Sequence, residues 1–310
     1  MPNLPSKITT RFAPTPSGYL HIGNVWSFAL TWALAKRHHG KIRLRIDDID
    51  NTRYRPEYVK DIFETLDFLG LDYDLDPRNV EEFEKQYSQQ HRLERYGHLL
   101  EELKTNGKLY ACNCSRSQIN AMSHNGLYER KCTHAHIPFD QPNVAWRIKI
   151  PKPCPITVHD TFTGPSILDL NQTMPDFVVQ RKDKVPAYQI ASLADDVDFD
   201  INLIVRGVDL IDSTAAQLFL ARELGLCKFA DTIFIHHPLI IDARGEKLSK
   251  SKGDTSIHYM RTHGMKARDI WADLAKKAGI ASTVVQNASD FADAFNPGIS
   301  LAKDAGVENI

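Results

Sequence analysis

Arg11-Phe-Ala-Pro14-Thr15-Pro16-Ser-Gly18-Tyr-Leu-His21-Ile-Gly23-Asn24 lies near the N-terminus and says more about the architecture than any other segment of its length. Just before it, apolar residues alternate from Ile8 to Phe12, which predicts a strand over 7–12. Pro14, Pro16 and Gly18 then enforce a turn. Beyond Gly23, the run from Val25 to Ala35 has no breaker and predicts a largely buried helix over 23–38. A strand, a tight turn and a helix N-terminus form an anion site, because unpaired N–H groups and the helix dipole face the same point. His21 stands at its mouth, within reach of a nucleotide phosphate.

A second stretch lies far along the chain. Lys247-Leu-Ser249-Lys250-Ser251-Lys252-Gly253 follows an apolar run, Ile233 to Ile241, that reads as a buried strand. Basic and hydroxyl residues between glycines make either a solvated loop or a clamp for a phosphate chain. Between the two stretches the pattern alternates. A strand is predicted at 41–46 and helices at 56–69 and 80–106, with Gly40, Gly70 and Gly107 as stops. Residues 110–136 read as loops, and 144–170 as short β segments. Strands at 203–208 and 233–241 flank a helix at 213–224, and a further helix is expected at 265–278. Strands alternating with helices imply an α/β fold with a parallel sheet, whose ligands bind beyond the carboxyl ends of the strands. The two quoted stretches would meet there.

Composition sets outer bounds. The 310 residues are 42% hydrophobic and 25% charged, with a net charge of −1. No overall basic field exists, so any RNA contact must come from local patches. No apolar run reaches about 18 residues, so no membrane partner is expected and the predicted location is cytoplasmic. Five cysteines argue against a disulfide framework. Cys112-Asn-Cys114 and Cys132 are instead spaced for a tetrahedral zinc site. On chemistry alone the fourth ligand is open among His124, His134 and His136.

Taken as an ordered pair, the two stretches resemble the HIGH and KMSKS signatures of class I aminoacyl-tRNA synthetases, in the glutamyl-tRNA synthetase version. Pro186-Ala-Tyr188-Gln-Ile-Ala-Ser-Leu-Ala-Asp195-Asp196 and Val205-Arg206-Gly207-Val-Asp209 extend the resemblance through the middle of the chain. It implies a Rossmann-type parallel-sheet domain (1–109 and 187–252), split by a zinc-containing α+β insertion at 110–186. A short helical segment would follow at 253–310. Arg11 and Arg206 would bind the carboxylates of L-glutamate, as guanidinium forks match carboxylates. Thr15 would hydrogen-bond the amino acid, Tyr188 would line its pocket and Asp47 would receive its ammonium. Pro14, Gly18, His21, Gly23, Asn24, Lys247, Ser249, Lys250 and Ser251 would surround ATP with its Mg2+. His21, Lys247 and Lys250 would carry the catalytic contacts. The resemblance also points to Tyr128 as fourth ligand of a structural Zn2+.

Two positions depart from the pattern. Asp47, in Arg45-Ile46-Asp47-Asp48, stands where a Glu is usual and reaches roughly 1.5 Å less far. Asn24 replaces the second His of the first signature. Only 59 residues follow Ser251, too few for a separate anticodon-reading domain of ordinary size. The whole pattern therefore resembles the glutamyl-queuosine tRNA(Asp) synthetases, a family of short glutamyl-tRNA-synthetase-like proteins. That resemblance implies ATP-dependent formation of glutamyl-adenylate and transfer of glutamate to queuosine in the anticodon loop of tRNA(Asp), by a monomer. The alternative is a minimal glutamyl-tRNA synthetase charging the 3′ end of tRNA(Glu).

Overall fold

A computed structural model describes residues 5, 7–123, 127–240 and 256–296. Strand β1 (Thr9–Phe12) leads through the turn into the helix Ile22–Arg37, which returns the chain to β2 (Lys41–Leu44). The two strands pair in parallel, Thr9 opposite Lys41 and Phe12 opposite Leu44. Gly40 permits this return, because a Cβ there would stand 2.7 Å from Cβ of Ile8. The helix is buried along most of its length, as its unbroken apolar run requires. One side meets the sheet, and another meets the C-terminal helix Ala288–Ala294, against which the helix Ala267–Lys277 packs in turn. There Trp26 packs edge-on to Phe291, which also touches Trp271.

Strands β3 (Leu109–Cys112), β4 (Ala145–Ile148), β5 (Pro155–Asp160), β6 (Gly164–Asp169) and β7 (Val178–Gln180) follow. β3, β4 and β7 form an antiparallel sheet of their own. The chain then enters the helix Tyr188–Asp198 and two more strands, β8 (Leu203–Gly207) and β9 (Ile233–His237), separated by the helix Ile211–Glu223. β8 and β9 pair in parallel, Arg206 opposite His236. β8 lies beside β1: the Asn202 N–H donates to the Thr9 carbonyl at 2.9 Å, and the Thr10 hydroxyl to the Leu203 carbonyl at 2.8 Å. The β5–β6 hairpin adds to the far side of β9, with Asp160 opposite Phe234. Residues 155–169 thus extend the sheet that carries β8 and β9.

The structure departs from the sequence reading in three places. The helix expected over 80–106 is interrupted at Ser88, and its regular part is Leu93–Thr105. Asp48 takes the Ser88 hydroxyl at 2.5 Å and the Gln89 amide at 2.7 Å, which draws the backbone out of the helix. The stretch read as loops holds β3 and the helix Arg116–Met122, which Ser115 and Gln118 cap reciprocally. Within the helical segment expected at 253–310, the sequence pattern does not single out the helix Ala288–Ala294, and Phe291 and Phe295 anchor it in the core. Among the described residues no helix is long and apolar enough to cross a membrane.

Candidate active site

A cleft of ≈ 240 Å³ opens beyond the carboxyl ends of β1, β8 and β9, as this topology predicts. Arg11 and Ala13 reach it from β1, and His21, Gly23 and Asn24 from the helix N-terminus. Tyr188 begins the helix after β7, Arg206 and Gly207 end β8, and His237 ends β9; all line the same space. Arg11 and Arg206, 195 positions apart in the chain, thus share one cavity.

The helix mouth is capped by the residues expected to bind nucleotide. The Gly23 N–H donates to Nδ1 of His21 at 3.1 Å, and the His21 N–H donates to Oδ1 of Asn24 at 3.1 Å. This reciprocal cap gives Asn24 a role that needs only a short acceptor three residues after the cap. With Nδ1 accepting, the neutral His21 ring carries its proton on Nε2. Gly23 accommodates the folded ring, since a Cβ there would touch it at 3.0 Å.

Arg11 is held from behind. Its Nε donates to Asp196 Oδ1 at 3.0 Å, the one side-chain bond it makes among the described residues. Arg45 shares that oxygen at 2.7 Å and closes on Asp47 through Nε at 2.6 Å and Nη2 at 3.1 Å. The Ser192 hydroxyl takes a further Nη2 bond at 3.1 Å. All these charged groups are buried. Burial works against the charge of Arg45, but Asp196 and Asp47 outweigh it and hold the guanidinium well above its ordinary range. Asp47 has Arg45 as its main compensation, so burial pushes its carboxyl up to about 6. Asp47 thus faces Arg45 and does not line the cleft.

Arg206 is the other anchor, 4% exposed. Its Nη2 donates to the Thr214 hydroxyl at 2.6 Å and to Gln217 Oε1 at 3.0 Å. Its Nε and Nη1 are buried and meet no acceptor at good hydrogen-bond geometry, although the Tyr188 side chain lies close enough to act on the guanidinium. Burial pulls this guanidinium below its ordinary range; Tyr188 beside it opposes the shift and Arg11 adds to it. Buried donors left open on a cation beside a cleft are suited to an anionic ligand.

Pro14 is buried, its carbonyl accepting the Asp47 N–H at 2.8 Å, while Thr15 is exposed; neither they nor Gly18 line the cleft. Lys247, Ser249, Lys250 and Ser251 lie outside the described residues. The residues bracketing them are at the site: Ile240 lines the cleft, and Ser256 bridges to His21. Sequence reasoning missed Ser27 and His237, joined at 2.6 Å on the cleft wall, and the support given by Asp196, Thr214 and Gln217. The His-His pair closing an apolar strand was the available signal for His237.

A separate cluster lies at the end of β3. Cys112, Cys114 and Cys132 are buried with their sulfurs within 4.8 Å of one another. The Tyr128 hydroxyl stands 3.4 Å from Cys112 Sγ and accepts the Cys132 N–H at 3.0 Å. Burial raises the Cys112 thiol, but Tyr128 and Arg147 outweigh it and bring it below its ordinary value; Cys114 is pushed up to about 12, mainly by burial. His134 and His136 are exposed, and no histidine of the described residues joins the group; His124 lies outside them. Three buried thiols and a phenol converging within bonding range fit a tetrahedral zinc.

Comparison with known proteins places this architecture. Residues 7–282 match the family described as tRNA synthetases class I (E and Q), catalytic domain. A protein of Nitratidesulfovibrio vulgaris named glutamyl-Q tRNA(Asp) synthetase is 34% identical over 296 residues, covering 91% of this chain and 89% of its own. A glutamate–tRNA ligase of Nitrosospira multiformis is 35% identical over 83% of this chain, which spans 54% of that ligase. The crystal structure of a glutamate–tRNA synthetase from Elizabethkingia anophelis superposes with a TM-score of 0.76 at 23% identity, over 94% of this chain and 66% of that one, and shows the shared fold. By the matched domain and by a relative aligned over most of both chains, this chain belongs to the class I tRNA synthetases of the E and Q type, in the group of the glutamyl-Q tRNA(Asp) synthetases, and is an enzyme.

Proposed function

We propose that the enzyme activates L-glutamate with ATP and transfers it to the queuosine base in the anticodon loop of tRNA(Asp). The observation that carries the glutamate reading is the buried Arg206, whose Nε and Nη1 meet no acceptor at good geometry beyond the neighbouring Tyr188, sharing a cleft with Arg11. Two guanidinium groups in one small cavity suit a ligand with two carboxylates. Tyr188 closes the wall beside them; Thr15 is exposed and off the cleft wall, so a bond from it to the amino acid needs the turn to move toward the ligand. Asp47, turned toward Arg45, would meet the substrate ammonium only by exchanging that partner or through a water.

In the reaction, a carboxylate oxygen of glutamate attacks the α-phosphorus of ATP, a P–O bond forms, and the bond to pyrophosphate breaks. The helix N-terminus with Gly23, Asn24 and the Nε2–H of His21 supports the phosphates. Lys247 and Lys250, between Ile240 and Ser256, would neutralise the leaving pyrophosphate, with Ser249 and Ser251 as hydroxyl donors. Mg2+ would accompany ATP as its counter-ion. Cys112, Cys114, Cys132 and Tyr128 would hold a zinc that staples the loop after β3. The tRNA(Asp) substrate follows the name of the relative that matches along most of its length. Charging of tRNA(Glu) is the second reading, favoured by the comparable identity to a glutamate–tRNA ligase.

The test of activation is ATP–pyrophosphate exchange across amino acids without tRNA. The proposal expects exchange with glutamate and none with glutamine; exchange absent with glutamate would remove it.

A further inference from the structure

Arg206 ends a line of buried side chains that begins on a different strand pair. Asp160 closes β5, and its Oδ2 accepts the His236 backbone N–H at 2.6 Å and lies 2.8 Å from the same residue's Nδ1. Its Oδ1 accepts the N–H groups of Phe162 and Thr163, each at 2.7 Å. A carboxylate can only accept, so the ring proton of His236 sits on Nδ1. Burial pulls His236 below its ordinary range; the Asp160 hydrogen bond opposes this and Arg206 adds to it, so the neutral ring with Nε2 as acceptor is favoured. The Thr214 hydroxyl, 2.7 Å away, must therefore donate to Nε2. Its lone pairs then turn to Nη2 of Arg206 at 2.6 Å. Gln217 takes the second Nη2 proton. Each proton in the line has one place, and the direction of every bond is set by Asp160.

We propose that Asp160, His236 and Thr214 are positioning residues for glutamate selection: they fix one end of the Arg206 guanidinium so that its two unpartnered nitrogens meet a substrate carboxylate. This rests on the reading of Arg206 as the glutamate anchor. None of the three touches the substrate in this account. Their effect is to keep the guanidinium from turning, and to keep the Thr214 proton off the Leu210 carbonyl, the other acceptor within 3.2 Å. β5 thereby connects the hairpin on the far side of β9 to the amino-acid end of the cleft.

The experiment compares Thr214→Val, Thr214→Ser and Arg206→Met in glutamate-dependent ATP–pyrophosphate exchange, with KM determined separately for glutamate and ATP. Thr214→Val is expected to raise KM for glutamate about tenfold, the effect of losing one bond to a charged group, and to leave KM for ATP within about twofold. Thr214→Ser, which keeps the hydroxyl, is expected to restore the wild-type value. A merely structural role would move both KM values together and would not be rescued by serine; either result overturns the proposal. Should the valine variant fail to fold, Thr214→Cys, read against Thr214→Ser whose shape it shares, replaces the hydroxyl by a poor acceptor and gives the same comparison. Arg206→Met separates the two layers. If it leaves KM for glutamate unchanged, the anchor reading falls; if it raises that KM while Thr214→Val does not, only the positioning line falls.

Discussion

Arg206→Met makes substrate affinity and stability move in opposite directions, which a structural arginine would not do. In the free protein Arg206 is a buried cation with Nε and Nη1 unpartnered, beside the like charge of Arg11. Each open buried donor costs about 1–3 kcal/mol. Methionine removes both and fills the stem's volume, but strands the Thr214 and Gln217 acceptors, at about 1 kcal/mol each. The net effect on unfolding should therefore fall between no change and a gain of about 4 kcal/mol. Binding of glutamate loses a charge-assisted bond and the charge behind it, about 3 kcal/mol, so KM for glutamate should rise about 10²-fold. Urea unfolding of both proteins and exchange kinetics against glutamate concentration read the two quantities. A stability loss above about 3 kcal/mol would show that the guanidinium is a structural group, and the reasoning from its open nitrogens would be refuted. Active sites commonly hold such groups at the expense of stability.

Other expectations concern the pH profile, the scaffold and the cysteine cluster. Burial lowers His237 to about 4 from the ordinary 6.5, so the unfolded chain binds its proton first as pH falls. Its contribution is complete above 6.5 and is lost as pH drops toward 4, a difference of about 3 kcal/mol by linkage; His237→Gln should flatten that part of a stability–pH curve, and an unchanged slope would refute the assignment. Gly40→Ala should cost about 1–3 kcal/mol, because the new methyl meets Ile8 at 2.7 Å, while both KM values stay at wild type; a neutral effect in urea would contradict the packing. The purified protein should carry one equivalent of zinc by elemental analysis, reduced by Cys114→Ser, and chelation should expose further thiols besides the already exposed Cys227. Unaltered thiol reactivity after chelation, with no zinc in the preparation, would remove the metal reading.

The parts of the molecule legible in the sequence are those written in local pattern. The Pro14–Pro16–Gly18 turn and the breaker-free run after Gly23 specify strand, turn and helix without help from distant residues. The strands β8 and β9 are likewise apolar runs, and their parallel pairing follows from the helix between them. What stayed hidden depends on partners far away in the chain. The helix break at Ser88 is caused by Asp48, 40 positions earlier. The alignment of Asp160 with His236 exists only because β5 pairs with β9. Ala288–Ala294 offers too few apolar positions to show a helical period, and Trp26 and Trp271 supply its reason to fold. At the site, the resemblance named Arg11, Tyr188 and Arg206, which do converge on the cleft, whereas the inward turn of Asp47 toward Arg45 could not be read from a four-residue motif.

The decisive experiment incubates labelled glutamate and ATP separately with tRNA(Glu) and with tRNA(Asp) prepared with and without queuosine, then maps the label on nuclease fragments. The account predicts label on the anticodon-loop fragment of tRNA(Asp), only when queuosine is present. Label on the 3′-terminal adenosine of tRNA(Glu), with none on tRNA(Asp), would contradict it and make the enzyme a minimal charging synthetase.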